Sequence, residues 1–128
     1  MNKEIISTKN APAAIGPYSQ AIKIGDLLFS SGQIPLDPST GELVNSDIEA
    51  ATIRVLENIK GILEEAGTCF ENVIKTVVYL KDMEDFVVVN KIYSQYFTTK
   101  EPARSCVQVA KLPKDAMLEI EVIAWIRS

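Results

Sequence analysis

Histidine is absent from this sequence, and that absence removes a large part of enzyme chemistry. Imidazole is the side chain whose ordinary pKa sits nearest neutrality, and it is the commonest metal ligand. Ser-His-Asp and Cys-His mechanisms and His-ligated metal centres are therefore excluded. Cysteine is scarce too. Cys69 and Cys106 are the only two, too few for a disulfide framework and wrongly spaced for a zinc site. A reduced, cytoplasmic setting is the expectation. No uninterrupted apolar run approaches the length of a membrane span, and Met1-Asn2-Lys3-Glu4-Ile5-Ile6 lacks the apolar core of a signal peptide. Long runs of like charge are missing, and the formal net charge of −4 disfavours capture of nucleic acid, whose phosphates favour basic partners. Chemistry is left to carboxylates, Arg, Lys, Tyr, Cys and the backbone.

What is present reads as one soluble domain. A chain of 128 residues with 47% hydrophobic and 23% charged side chains is long enough to bury a proper core. Pro12, Gly16 and Pro17 break the stretch from Ala11 to Tyr18 into a loop. Ala21–Ile24 and Leu27–Ser31 are strand-like, and the Gly25-Asp26 connector suits a tight hairpin. Asp37-Pro38-Ser39-Thr40-Gly41 reads as a surface turn. Ser46-x-x-Glu49 has the form of a capping box. Behind it Ile48, Thr52, Val55, Leu56, Ile59, Ile62, Leu63 and Ala66 recur at helical spacing, and Gly67 marks the stop.

Val73–Leu80 is rich in β-branched residues and apolar on both faces, a well-buried strand. Asp82 or Asp85 caps a second helix whose stripe is Phe86, Val89, Ile92, Tyr93, Tyr96 and Phe97. A strand around Arg104, a turn at Lys111–Asp115 and a last strand from Met117 to Ile126 complete the chain. Two helices cover one face of a six-stranded sheet, giving an α+β two-layer sandwich. The last strand shows what lies on the other face. Leu118, Ile120, Val122, Ala124 and Ile126 point one way; Glu119, Glu121, Ile123 and Trp125 point the other. Ile123 and Trp125 make that second face too apolar for water, so it is expected to pack against other subunits.

The stretch Pro102-Ala103-Arg104-Ser105-Cys106-Val107-Gln108-Val109 poses the functional question. Its alternation reads as a buried strand with Arg104 and Cys106 on one face and Ser105 and Val107 on the other. A desolvated guanidinium requires an anion. Glu119 or Glu121 of the same chain is one candidate, forming an internal ion pair; a carboxylate ligand is the other, since the guanidinium fork suits bidentate capture. Cys106 reads as a small core residue rather than an attacking thiolate, because no imidazole lowers its pKa. Cys69 reads as packing alone. Tyr18 either packs its ring or offers a phenolic hydrogen bond, and Gly32 either serves strand-end geometry or lines a cleft.

Four motifs in order narrow these alternatives: Asn10-Ala11-Pro12-Ala13-Ala14-Ile15-Gly16-Pro17-Tyr18-Ser19-Gln20, Ser31-Gly32-Gln33-Ile34-Pro35, Pro102-Ala103-Arg104-Ser105-Cys106-Val107, and Leu112-Pro113-Lys114-Asp115 followed by Glu119-Ile120-Glu121. Together they resemble the Rid (YjgF) family of reactive intermediate deaminases, and most of all its RidA subgroup, which keeps the arginine. The resemblance covers nearly the whole chain and implies a single domain over residues 1–128. It implies a chorismate-mutase-like fold, a homotrimeric barrel with clefts between subunits, and no cofactor or metal. The implied reaction is hydrolysis of 2-imino acids, or enamine tautomers such as 2-aminoacrylate and 2-aminocrotonate, to 2-keto acids and ammonia. Carried over by position, Arg104 grips the substrate carboxylate and Glu119 positions water. Tyr18, Ser31, Gly32, Asn90 and Cys106 line the cleft. Strand geometry alone leaves Glu119 and Glu121 equivalent. Two other readings attach to relatives of the family: a ribonuclease that inhibits translation, and a regulatory module that binds a small ligand without turnover.

Overall fold

The computed structural model describes residues 2–127. Its elements run β1 (Glu4–Ile6), β2 (Ala21–Ile24), β3 (Leu27–Ser30), α1 (Ile48–Glu65), β4 (Val73–Leu80), α2 (Phe86–Tyr96), β5 (Ala103–Gln108) and β6 (Leu118–Trp125). The strands form one sheet in the order β1-β2-β3-β6-β4-β5. Only β4 and β5 pair in parallel, with α2 as the crossover between them; the other pairings are antiparallel. This is the expected α+β sandwich of two helices on a six-stranded mixed sheet. β1 is the strand that pattern does not foresee, because three residues are too short to show an alternation.

Helix α1 is held by its ends and its stripe. Its cap is Asp47, whose carboxylate accepts from the Ala50 N–H at 2.7 Å, and not the Ser46 of the expected capping box. At the far end Gly67 takes φ +82°. There the Gly67 N–H bonds the Glu64 carbonyl and the Thr68 N–H that of Leu63, the paired closure that a left-handed glycine allows. Val55, Leu56, Ile59, Ile62 and Leu63 are wholly buried against Leu118, Ile120, Val122 and Ala124 in one core. Asp82 caps a short 3₁₀ turn, Met83–Asp85, that leads into α2, and α2 adds Val89, Ile92, Tyr93 and Phe97 to the core.

The Arg104 strand departs from expectation. β5 is the edge of the sheet, and its residues are exposed apart from the half-buried Cys106. Alternation there separates the two faces, Arg104 and Cys106 on the helix side and Ser105 and Val107 on the other, and carries no sign that the strand is an edge. Among the described residues no helix or strand covers the second sheet face. Ile5, Phe29, Val107 and Trp125 are 65%, 41%, 44% and 43% exposed on it.

The loop that leads into β2 is tied by Gln20, which is nearly fully buried. Its amide accepts from the Thr8 N–H at 2.7 Å and donates to the carbonyls of Thr8, Ala11 and Pro12 at 3.0, 3.2 and 2.7 Å. Replacing it strands several backbone groups at once. Gln20→Leu is expected to lower stability by about 1–3 kcal/mol, the range for leaving buried polar groups unpaired, read as a lower urea midpoint at fixed protein concentration.

Candidate functional site

Arg104 lies on the helix side of the sheet, because it pairs in register with the buried Thr76. Its guanidinium donates to the Asn90 Oδ1 at 2.7 Å and stacks on two rings of α2. It stands 4.8 Å from the Tyr93 centroid and 5.4 Å from that of Phe86. Such stacking orients a cation without neutralising it. Among the described residues the ion pairs are Lys81–Asp115 and Lys100–Glu71, so no carboxylate of this chain meets Arg104. The internal ion pair with Glu119 or Glu121 is thus ruled out. β6 turns both glutamates to the opposite face, where Glu119 pairs with Tyr79 and Glu121 with Val77.

An open cavity lies beside the arginine, lined among others by Asn90, Tyr93, Phe97, Pro102, Arg104 and the exposed Glu101, whose carboxylate lies outside ion-pair distance of the guanidinium. Cys106 shares the sheet face of Arg104 but does not line this cavity. Burial pushes its thiol pKa up, and the Arg104 charge opposes that only in part, so the thiol form is favoured.

The second cleft, of about 490 Å³, is lined by Pro12, Tyr18, Gly32, Ile34, Lys114 and Glu119, among others. Tyr18 is 53% exposed at its mouth. Glu119 reaches over Gly32 so closely that a β-carbon there would sit 2.1 Å from its Oε2. Only a glycine leaves that carboxylate its place. Glu119 is half-buried and has no hydrogen-bond partner among the described residues. Desolvation raises its pKa above the usual carboxylate value, and the negative charge of Glu121 adds to the rise. Glu121 is engaged elsewhere, accepting from the Tyr79 hydroxyl at 2.7 Å. Ser31 donates its hydroxyl to the Ser19 carbonyl at 2.6 Å, bracing the loop behind Tyr18 rather than lining the cleft.

Lys114 was not singled out as a site residue, yet it lines the Glu119 cleft with φ +56°, and Asp115 follows at φ +55°. Two consecutive left-handed residues other than glycine are unfavourable. The Asp115 carboxylate is fastened to Lys81 at 2.9 Å, and the turn is closed by the Ala116 N–H on the Pro113 carbonyl. The Leu-Pro-Lys-Asp motif was the available signal. Cys69, expected to pack, is exposed.

The expected site residues therefore fall into two groups on opposite faces of one sheet. Arg104 and Asn90 form one; Tyr18, Gly32 and Glu119 form the other. Each group is open, and one chain does not bring them together.

Known proteins match this chain in sequence and in fold over nearly its whole length. The sequence model of the endoribonuclease L-PSP family matches residues 8–126. A RutC family protein of Pyrococcus abyssi is 56% identical over 125 residues, spanning 98% of each chain. Among solved structures, YyfA of Yersinia pestis, a Rid-family protein of unknown function, is 50% identical with a TM-score of 0.96, covering 98% of this chain and all of that one. The TdcF protein of E. coli, solved with bound serine, is 47% identical with a TM-score of 0.91, covering 98% of this chain and 99% of TdcF. With its sequence and its two-layer fold both matched over nearly their whole length, the chain belongs to the endoribonuclease L-PSP family, the Rid/YjgF/RutC group.

Proposed function

We propose that this protein hydrolyses small 2-imino acids, or their enamine tautomers such as 2-aminoacrylate and 2-aminocrotonate, to 2-keto acids and ammonia. The observation that carries this reading is an oriented guanidinium with no carboxylate of the described residues within ion-pair distance. A substrate carboxylate supplies the missing anion, and the fork geometry binds it in two places. The serine-bound relative is in keeping with this, since serine presents a carboxylate beside a nitrogen on the adjacent carbon.

Two half-sites on opposite faces need a second copy to meet. In this reading three chains pack their uncovered sheet faces into a barrel. Each cleft then receives Arg104 and Asn90 from one subunit and Tyr18, Gly32 and Glu119 from its neighbour. The exposed apolar side chains of that face, Phe29, Val107 and Trp125 among them, supply the hydrophobic drive.

The chemistry needs neither metal nor covalent nucleophile, because an imine carbon is already electrophilic. Water bound to Glu119 attacks that carbon and gives its proton to the carboxylate, while the C=N π pair moves to nitrogen, which takes a proton. The carbinolamine so formed breaks its C–N bond, nitrogen leaving with the pair and a further proton as ammonia. The hydroxyl proton is released as the ketone forms. Water is consumed, and a keto acid and ammonia result. Glu119 suits both directions of proton transfer because its raised pKa lies closer to neutrality than that of a free carboxylate. Tyr18 donates a hydrogen bond, and Arg104 fixes the substrate against the water. Cleavage of RNA, the activity in the family's description, is disfavoured here by the net charge of −4 and the missing histidine.

Three measurements test this reading. Arg104→Ala is expected to lose about 2–5 kcal/mol of transition-state stabilisation, measured on 2-iminobutanoate after subtracting spontaneous hydrolysis; a parental rate would sink the assignment. Sedimentation at micromolar concentration is expected to show a trimer, and a monomer would remove the shared cleft. Glu119→Gln is expected to abolish turnover yet raise stability at neutral pH. The raised pKa means that the fold favours protonated Glu119, so its contribution is most favourable below the ordinary glutamate pKa and is lost as pH rises through the raised value. The stability advantage of the variant should therefore fade on acidification, in denaturant melts taken from neutral pH downward.

A further inference from the structure

Glu119 and Glu121 stand two apart on β6, about 7 Å along the strand at its usual rise, and the fold treats them differently. Tyr79 pairs with Glu119 in register, yet its hydroxyl passes that residue by and donates to the Glu121 Oε1 at 2.7 Å. That hydrogen bond fixes the Glu121 carboxylate in place beside Glu119. The phenol keeps its proton in return: the bond to Glu121, with burial, pushes the Tyr79 pKa up to about 12. Glu119, half-buried over Gly32, has no such donor. The other polar side chains that line its cleft are Tyr18, Gln20, Gln33 and Lys114. Across the sheet the same row continues to Val107 of β5, which is apolar. Glu121 is thus the anion that acts on Glu119, and Lys114 is the cation on the rim.

We propose that Tyr79 and Glu121 are positioning residues for the hydrolysis and act through Glu119: the phenol holds the Glu121 carboxylate in place two residues from Glu119, and from that position it readies Glu119 to take a proton from water and pass it to the departing nitrogen. This rests on the reading that Glu119 handles the water. Neither Tyr79 nor Glu121 touches substrate, so their effect is on when Glu119 holds its proton and not on how the substrate is gripped.

The test is the pH profile of kcat/KM with in-situ-generated 2-iminobutanoate, spontaneous hydrolysis subtracted at each pH, for the parent, Glu121→Gln, Tyr79→Phe and Glu119→Gln. Removing a unit charge about 7 Å away corresponds to about 0.4 in pH at the dielectric of bulk water and about 1.7 at the effective dielectric of a protein surface, and the shift is expected within that range. The acid limb of Glu121→Gln is expected at lower pH by that amount, with KM little changed. Tyr79→Phe is expected to move it the same way by less, and it supplies the test if Glu121→Gln does not assemble. Limbs of both variants lying on the parental curve, with Glu119→Gln inactive, would overturn this proposal and leave the hydrolytic reading standing. Full activity in Glu119→Gln would overturn both.

Discussion

Leu118, Ile120, Val122 and Ala124 are packed against the helices, and because strand side chains alternate, their burial sends Glu119, Glu121, Ile123 and Trp125 to the opposite face. The same alternation on β5, read through its register with β4, sends Arg104 to the helix side. The two charges that matter most are thereby separated by a sheet. A one-residue slip of β6 would bring them to one face, but only by turning Leu118, Ile120, Val122 and Ala124 out of the core. The hydrophobic core thus determines which half of the site each subunit offers, and it makes the proposed activity a property of an assembly.

Where apolar periodicity was long, it was legible: α1, β4 and β6 are where spacing places them, and so is the Gly25 hairpin. The uncovered face could also be read, since Ile123 and Trp125 sit beside two carboxylates on one strand. Misreadings came where a short pattern had two physical explanations. β5 alternates like a buried strand, but it lies at the sheet edge, and nothing local distinguishes a strand that will be covered by a neighbour from one covered by its own helix. Ser46 and Asp47 are both good caps, and only the backbone decides between them. Glu119 and Glu121 were indistinguishable by spacing; what separates them is Tyr79, about forty residues away, whose hydroxyl occupies one and leaves the other bare. The family motifs named Arg104 and Glu119 together without saying that they belong to different faces.

Under the proposed reading, a chain without imidazole needs another group to exchange protons, and a carboxyl shifted by its environment supplies it. Burial and an adjacent anion raise a carboxyl, while stacking on Phe86 and Tyr93 holds a guanidinium in place without discharging it. The raised carboxyl would not survive full exposure to water, where desolvation is lost and charge is screened. Covering the sheet face would accordingly affect chemistry as well as stability, since it excludes solvent from the flank of Glu119.

The close approach of Glu119 to Gly32 also bears on how relatives of this chain are read. A sequence can retain the arginine and the glutamate and still lack a working cleft, if the position equivalent to Gly32 carries any side chain that evicts the carboxylate. Such a chain would keep every charged residue of the site and present them in the wrong place. Deciding function by scanning for Arg104 and Glu119 therefore asks too little. The informative signature is a pair formed by a glutamate and a vacancy, in which the missing β-carbon counts as much as the acid.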